Sequence, residues 1–345
     1  MQLLIDIVLL LVSFAVILAG AELFTNGIEW LGEKMGLSEG MVGSVLAAVG
    51  TALPETMIPI IAIIFVGTAA SEEVGVGAIL GAPFLLSTAA MFVTGVAVLA
   101  YHRSGRRKDH LTINQVVVRR DLRFFLAMYL VAIGMGLPFF DKPQWLRILV
   151  GAFLLVAYAF YVRQTANDPR AQTESEKNPL HFQRAMSTPH TRAVLLQVFV
   201  ALAAIVFGAN MFVGQIQQFA TLFGVSPLIL SLIVAPLATE LPEKFNSVIW
   251  IRQRKDTLAM GNISGAMVFQ SCIPVTVGLW FTPWVLNEFA IASAVIAIAA
   301  GLLLQLYLRT GSVISGRELT SLGIFYLAFV IYTVAFPHSG PVPIH

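Results

Sequence analysis

Two short polar clusters interrupt otherwise apolar stretches of the chain: Gly50-Thr51-Ala52-Leu53-Pro54-Glu55 and Ala238-Thr239-Glu240-Leu241-Pro242-Glu243. In each, a threonine precedes a glutamate by four residues, so on a helix the hydroxyl and the carboxylate share one face. The proline before each glutamate lacks an amide proton and frees the carbonyls of Gly50 and Ala238. Carboxylate, hydroxyl and bare carbonyl oxygens are the donors that hard cations such as Ca2+ and Na+ accept. A carboxylate at membrane depth costs roughly 3 kcal/mol or more, so it persists where it is paired or functional. Two glutamates in matching settings favour function over a purely structural hydrogen bond between helices. The second cluster also carries Glu240 and, four residues on, Lys244. That spacing suits a neutralising pair that makes burial tolerable, and it equally suits a direct role in transport. Gln270 is a further polar group in an apolar run, open to the same choice between bridging helices and meeting an ion.

The elements that must position these groups are membrane spans. Of 345 residues, 57% are hydrophobic and 12% charged, where a soluble domain carries roughly 25% charged residues. An ordinary soluble enzyme is excluded, and runs of about 20 apolar residues predict a polytopic helical membrane protein. The net charge of +2 is small and the basic residues cluster between apolar runs, which describes topology and not a nucleic-acid surface. One cysteine, Cys272, permits no disulfide within the chain. All six histidines fall in polar segments or at the C-terminus, leaving no imidazole at membrane depth for haem or zinc. The first apolar run has no basic residue before it and reads as a retained helix, not a cleaved leader.

Ten spans are expected, at about 3–31, 41–67, 74–101, 122–140, 145–163, 193–222, 226–251, 257–281, 287–308 and 318–337. Eighteen Lys and Arg residues fall in the loops after the odd-numbered spans and two, Lys142 and Arg147, on the opposite side. By the excess of positive charge in cytoplasmic loops, both termini lie outside and the long polar stretch after span five lies inside. At an offset of 188, Gly20, Phe24, Gly36, Leu53, Pro54 and Glu55 meet Gly208, Phe212, Gly224, Leu241, Pro242 and Glu243, with Gly27 and Gly214 one residue out of register. Downstream the offset becomes 184, where Gly77 and Gly81 meet Gly261 and Gly265. The chain therefore reads as an all-α integral membrane protein of two repeats, 1–164 and 192–345, joined by a cytoplasmic linker, 165–191. Five spans per repeat is odd, so the repeats are inverted, the architecture of secondary transporters with a site at the midplane interface.

The stretches Gly20 to Glu55, ending GTALPE, and Gly208 to Glu243, ending ATELPE, resemble the alpha repeats of the calcium/cation antiporter superfamily, and of prokaryotic sodium/calcium exchangers in particular. The resemblance implies a multi-pass protein of the prokaryotic inner membrane that exchanges Ca2+ for Na+ by alternating access, with no permanently bound cofactor. It implies a cation site between the second, third, seventh and eighth spans. Glu55 and Glu243 would be its central carboxylates, Thr51 and Thr239 hydroxyl or carbonyl ligands, and the carbonyls of Ala48 and Pro236 backbone ligands. The chain departs from the family where members carry Gly-Ser-Asn followed by Asn or Asp on the third and eighth spans: here stand Gly81-Ala82-Pro83 and Gly265-Ala266-Met267, with Gln270 beyond. Glu240 occupies a position that is usually small.

These departures leave the counter-ion open between Na+ and H+. With all groups ionised, Glu55, Glu240, Glu243 and Lys244 sum to minus two, which one Ca2+, two Na+ or two protons would neutralise. A membrane hydrolase built on paired carboxylates is the remote alternative, and the sequence offers no histidine or nucleophilic serine to accompany them. The partners expected are small inorganic cations and membrane lipid, without nucleic acid. Gly77, Gly81, Gly261 and Gly265 are expected to let helices approach closely, and Trp145, Trp250, Trp280 and Trp284 to mark the membrane interfaces.

Overall fold

A computed structural model describes residues 2–35, 52–139, 142–166, 179–183, 186, 188–308 and 313–335, with the side chains of residues 2, 166 and 241–246 excepted. The chain is mostly helical. Its order is α1 (Gln2–Lys34), α2 (Leu53–Ile60) running into a π-helical segment (Ile61–Val66), α3 (Ala69–Leu85), a second π-helical segment (Leu86–Ala90) and α4 (Met91–Arg103). After strand β1 (His110–Thr112) come α5 (Gln115–Gly136) and α6 (Gln144–Ala166). The second half holds α7 (Thr191–Phe223), α8 (Pro227–Arg252), α9 (Asp256–Gln270), α10 (Ile273–Phe281) and α11 (Glu288–Tyr307), then β2 (Val313–Ser315), α12 (Gly316–Ser321) and α13 (Gly323–Ala335). Seven of the described helical stretches are long and apolar enough to cross a membrane.

The exposed surface fits lipid. Leu4 and Leu11 on α1, Val156 and Phe160 on α6, and Ile324 and Val334 on α13 all point outward, as apolar groups do where the solvent is hydrocarbon. The interior splits into a large apolar cluster centred on Phe84, Phe125, Tyr129, Trp284 and Phe329 and a smaller one joining α1, α2 and α7 through Ile17, Ile58, Phe212 and Ile216.

Helices α1 and α7 pack along each other at small residues. A Cβ on Gly20 would lie 2.8 Å from Ile205 Cγ1 and 3.1 Å from the Ala201 carbonyl, and one on Gly208 would lie 2.8 Å from Ile17 Cγ1 and 3.1 Å from the Ser13 carbonyl. Each of these contacts is the other displaced by 188 residues. On α3, Gly77 and Gly81 press on the Leu228 and Leu232 carbonyls of α8, at 2.5 and 2.3 Å from an ideal Cβ, and Ser231 Oγ donates to the Val74 carbonyl at 2.6 Å. Close packing at these two glycines is as expected. Gly261 and Gly265 meet no described atom within 4 Å.

Three features depart from expectation. Helix α5 starts at Gln115, well before the expected 122, because Asn114 Oδ1 caps it by accepting from the Val116 amide at 3.1 Å. Its first turns carry Arg119, Arg120 and Arg123, charges that hide a helix from a hydropathy reading without breaking it. Second, the fold contains a small β element: β1 pairs antiparallel with β2, His110 opposite Ser315. Third, Trp284 is not an interfacial residue: it is buried, its Nε1 donates to the Ala132 carbonyl at 2.9 Å, and its face covers Gly278. Trp145 is exposed, in keeping with the interface.

On the basic side, Arg107 ties the halves together. It donates to the carbonyls of Ile251 and His110, each at 2.8 Å, and meets Asp256 Oδ2 at 2.9 Å. Elsewhere the segment at 179–183 meets α1: His181 Nδ1 lies 2.9 Å from Asn26 Oδ1 and His181 Nε2 3.2 Å from Glu22 Oε1. Gln197 of α7 joins them by donating to Asn26 Oδ1 at 2.9 Å.

Candidate cation site

Helix α8 runs unbroken from Pro227 to Arg252, through both Pro236 and Pro242. Ser226 caps it, its hydroxyl accepting from the Ile229 amide, and Pro227 occupies the first turn, where the missing amide costs nothing. Midway along it Thr239 is buried and Glu240 is entirely inaccessible. The Thr239 hydroxyl donates to the Ala235 carbonyl at 3.2 Å, which leaves its oxygen lone pairs to accept or ligate. Pro236 packs its ring against Gly81 of α3, so the backbone of α3 approaches α8 one turn from Glu240.

The carboxylate of Glu240 is met from the neighbouring helix. Gln270, the last residue of α9 and 1% exposed, donates from Nε2 to Glu240 Oε1 at 3.3 Å. Its own carbonyl oxygen, Oε1, is buried and has no hydrogen-bond partner among the described residues. A buried acceptor without a donor is costly unless a ligand supplies the positive charge. Directly after Gln270 the rod turns at Ser271–Cys272 before α10 begins. Towards the basic side a polar seam continues between the same helices, with Asn262 Nδ2 3.4 Å from the buried Ser247 Oγ. Ser247 lies seven residues beyond Glu240, on its face of α8.

In the first half, Glu55 is buried at 6% exposure in the first turn of α2, with Pro54 buried beside it. Thr51 and Ala48 lie outside the described residues, as do the side chains of Glu243 and Lys244, whose backbone is helical. The structure thus brings Glu240 and Gln270 together, places Glu55 in the interior of the other half, and sets Pro236 at the α3–α8 contact. Among the described residues no three His, Cys, Asp or Glu side chains gather as a metal cluster.

What sequence reasoning missed is the backbone. The α3 rod passes into a π-helical segment at Leu86–Ala90, and the α9 rod breaks at Ser271–Cys272. With the offset of 184, Leu86 and Ser87 correspond to Gln270 and Ser271, so both interruptions fall at one level of the alignment. Such interruptions inside membrane helices expose carbonyls and recur at functional sites. A usable signal was present: hydroxyl residues follow closely after Pro83 and just precede Pro274. Ser87 donates to the Pro83 carbonyl at 2.8 Å, Thr88 to that of Phe84, and Ser271 to that of Val268 at 2.7 Å, each hydroxyl bonded back to a carbonyl three or four residues earlier in its own rod.

The family model described as sodium/calcium exchanger protein matches residues 5–164 and 193–336, and the chain belongs to that family. It is similar to the sodium/calcium exchanger MaX1 of Methanosarcina acetivorans, at 23% identity over 95% of this chain and 98% of that one. The fold is shared with the H+/Ca2+ exchanger CAX, at a TM-score of 0.71 and 16% identity over 96% of this chain and 82% of that one. It is shared too with the sodium-calcium exchanger NCX_Mj, at a TM-score of 0.55 and 18% identity over 96% and 98%. The protein is thus an integral membrane, multi-pass member of an ion-exchanger family, and not a catalytic enzyme in the usual sense.

Proposed function

We propose that this chain is a Ca2+ antiporter that works by alternating access, with Glu55, Glu240 and Glu243 as its carboxylates, Thr51, Thr239 and Gln270 as neutral oxygen donors, and the carbonyls of Ala48 and Pro236 completing the set. The observation that carries the reading is the fully buried Glu240 carboxylate in contact with Gln270, whose remaining oxygen faces the interior without a described donor. A divalent cation satisfies both at once. Na+ is the counter-ion on the family's description. Proton exchange is the second reading, favoured by the third carboxylate, Glu240, a group whose oxygens can carry either a proton or a cation.

The architecture that serves this function is ten spans in two inverted repeats, 1–164 and 192–345, with the 165–191 linker and the basic loops in the cytoplasm and both termini outside the inner membrane. The paired contacts at Gly20 and Gly208 support the repeat. Cysteines at Gln172 and Ala70, in a Cys272→Ser background, should label from opposite faces; labelling from one face would remove the inverted topology.

The deciding experiment is Ca2+ uptake into proteoliposomes under an imposed Na+ gradient or an imposed pH gradient. Uptake under neither would overturn the antiporter reading. A site summing to minus two predicts nearly electroneutral exchange, so a K+/valinomycin potential should have little effect. Strong voltage dependence would show that Lys244 does not serve as a fixed counter-charge.

A further inference from the structure

The end of α5 that the transport reading does not use forms a basic pocket of about 600 Å³, lined by Gln115, Val116, Arg119, Arg120, Arg123 and Phe124. Residues 116, 119, 120, 123 and 124 follow a helical repeat and so share one face. None of the lining residues is acidic. The neighbouring carboxylate on α5, Asp121, is turned inward, accepting from Tyr161 and from Ser264, each at 2.7 Å, with Arg120 Nε 3.5 Å away. Arg120 lies over the Tyr161 ring, its guanidinium carbon 5.4 Å from the centroid, and Arg119 donates to the Leu308 carbonyl at the end of α11. Two of the three guanidinium groups are thereby fixed in place, and Arg123 stands exposed beside them.

The same face of α5 continues away from the arginines as Ala127, Leu130, Val131 and Gly134, all exposed and uncharged. Neighbouring α6 presents exposed Phe153, Val156 and Phe160. Thus the outward face of α5 carries a cluster of cations at one end and an uncharged track running from it along the helix. The shape and charge match one kind of molecule, a phospholipid with an anionic headgroup: phosphate on the arginines, acyl chains along the track. The basic loops place this end at the leaflet where anionic lipids concentrate in the topology argued above.

We propose that the α5 pocket is a binding site for the phosphate headgroup of an anionic membrane lipid, with Arg119, Arg120 and Arg123 as its ligands. This site is separate from the cation site and its occupancy does not depend on the transport reading. The test is native mass spectrometry of the full chain released from nanodiscs made with cardiolipin, phosphatidylglycerol or phosphatidylcholine. The wild type should retain cardiolipin or phosphatidylglycerol and not phosphatidylcholine. Arg123→Gln, at an exposed position, should reduce retention about fivefold, and Arg119→Gln with Arg123→Gln about thirtyfold, the size expected for one and two basic groups at an anionic surface. Thermal unfolding in detergent identifies any loss of the fold in the double variant, in which case Arg123→Gln alone decides. Equal retention by Arg123→Gln and wild type, or equal retention of phosphatidylcholine, would overturn the proposal. Displacement of the lipid by millimolar inorganic phosphate would also overturn it, by showing that the arginines select a free anion and not a lipid.

Discussion

The third helical rod of each half is interrupted at the same level, yet the two interruptions are built differently. In the first half the rod remains continuous, absorbing Pro83 through a π-helical turn at Leu86–Ala90 that is lined by apolar groups and two hydroxyls bonded to their own backbone. In the second half the rod stops at Gln270, turns through Ser271–Cys272 and restarts, and Gln270 reaches Glu240. The rods also start differently. Thr68 and Ser71 form a capping box for the first, whereas Asp256, held by Arg107 from the other half, opens the second. The two halves thus carry a backbone irregularity at corresponding positions of the sequence, and the second half sets the more polar side chains beside it. The lesson is that the geometry of a site and its charge can diverge separately.

The largest effects should come from the carboxylates that the two halves still share. Glu55→Gln and Glu243→Gln each keep the shape of the side chain and remove the charge that attracts Ca2+, so each should lower Ca2+ flux in proteoliposomes by roughly 100-fold or more. Melting temperatures in detergent should stay near wild type. If Glu55→Gln transports normally while Glu243→Gln does not, the site belongs to the second half alone.

Next in size is the anchor of the second rod. Asp256 is buried with Arg107 and also accepts from the Thr112 amide at 2.9 Å. Asp256→Ala strands the Arg107 guanidinium in a buried setting, which costs about 3–5 kcal/mol. Thr68→Ala, which removes the cap of the first rod, should cost about 1 kcal/mol. Unfolding in detergent followed by circular dichroism ranks the two, and a reversed order would mean the buried pair is not what holds the second rod.

A smaller effect separates the interruptions themselves. Gln270→Leu gives the second half the side chain that Leu86 provides in the first. It removes one hydrogen bond to a charged group, worth about 1.5–3 kcal/mol, and should raise the Ca2+ concentration for half-maximal flux by roughly tenfold or more. An unchanged value would place Gln270 outside the cation site.

These differences mark the boundary of what could be read in advance. Helical period, charge asymmetry and the glycine spacing around Gly20 and Gly208 are local and repeated, so most of the described helices were legible, the early start of α5 excepted. So was the burial of Glu55 and Glu240, because carboxylates are costly to place among apolar neighbours without a purpose. The π-helical turn and the break after Gln270 were not legible, because a proline or hydroxyl in a membrane helix does not decide whether the backbone bends, bulges or stops; the packed neighbours do. The Arg107–Asp256 pair and the β1–β2 pairing join residues far apart in the chain, and neither leaves a periodic trace.

The last comparison tests how far the two halves share their packing. An ideal Cβ at Gly81 falls 2.3 Å from the Leu232 carbonyl oxygen, a backbone atom that cannot rotate away. Gly81→Ala must therefore push α3 off α8, at a cost of about 1–3 kcal/mol. The contact also seats Pro236 against α3, so a shift there should disturb the neighbouring Glu240 level and lower Ca2+ flux a few-fold. Gly265 is its counterpart at the offset of 184 and meets no described atom within 4 Å. Gly265→Ala should then change stability little, or raise it slightly, since alanine is the better helix former by about 1 kcal/mol. Melting temperatures of the two variants measured side by side decide the matter. A larger loss for Gly81→Ala shows that close approach is confined to the first-half rod; equal losses would show that the second-half rod is packed just as tightly at its matching glycine.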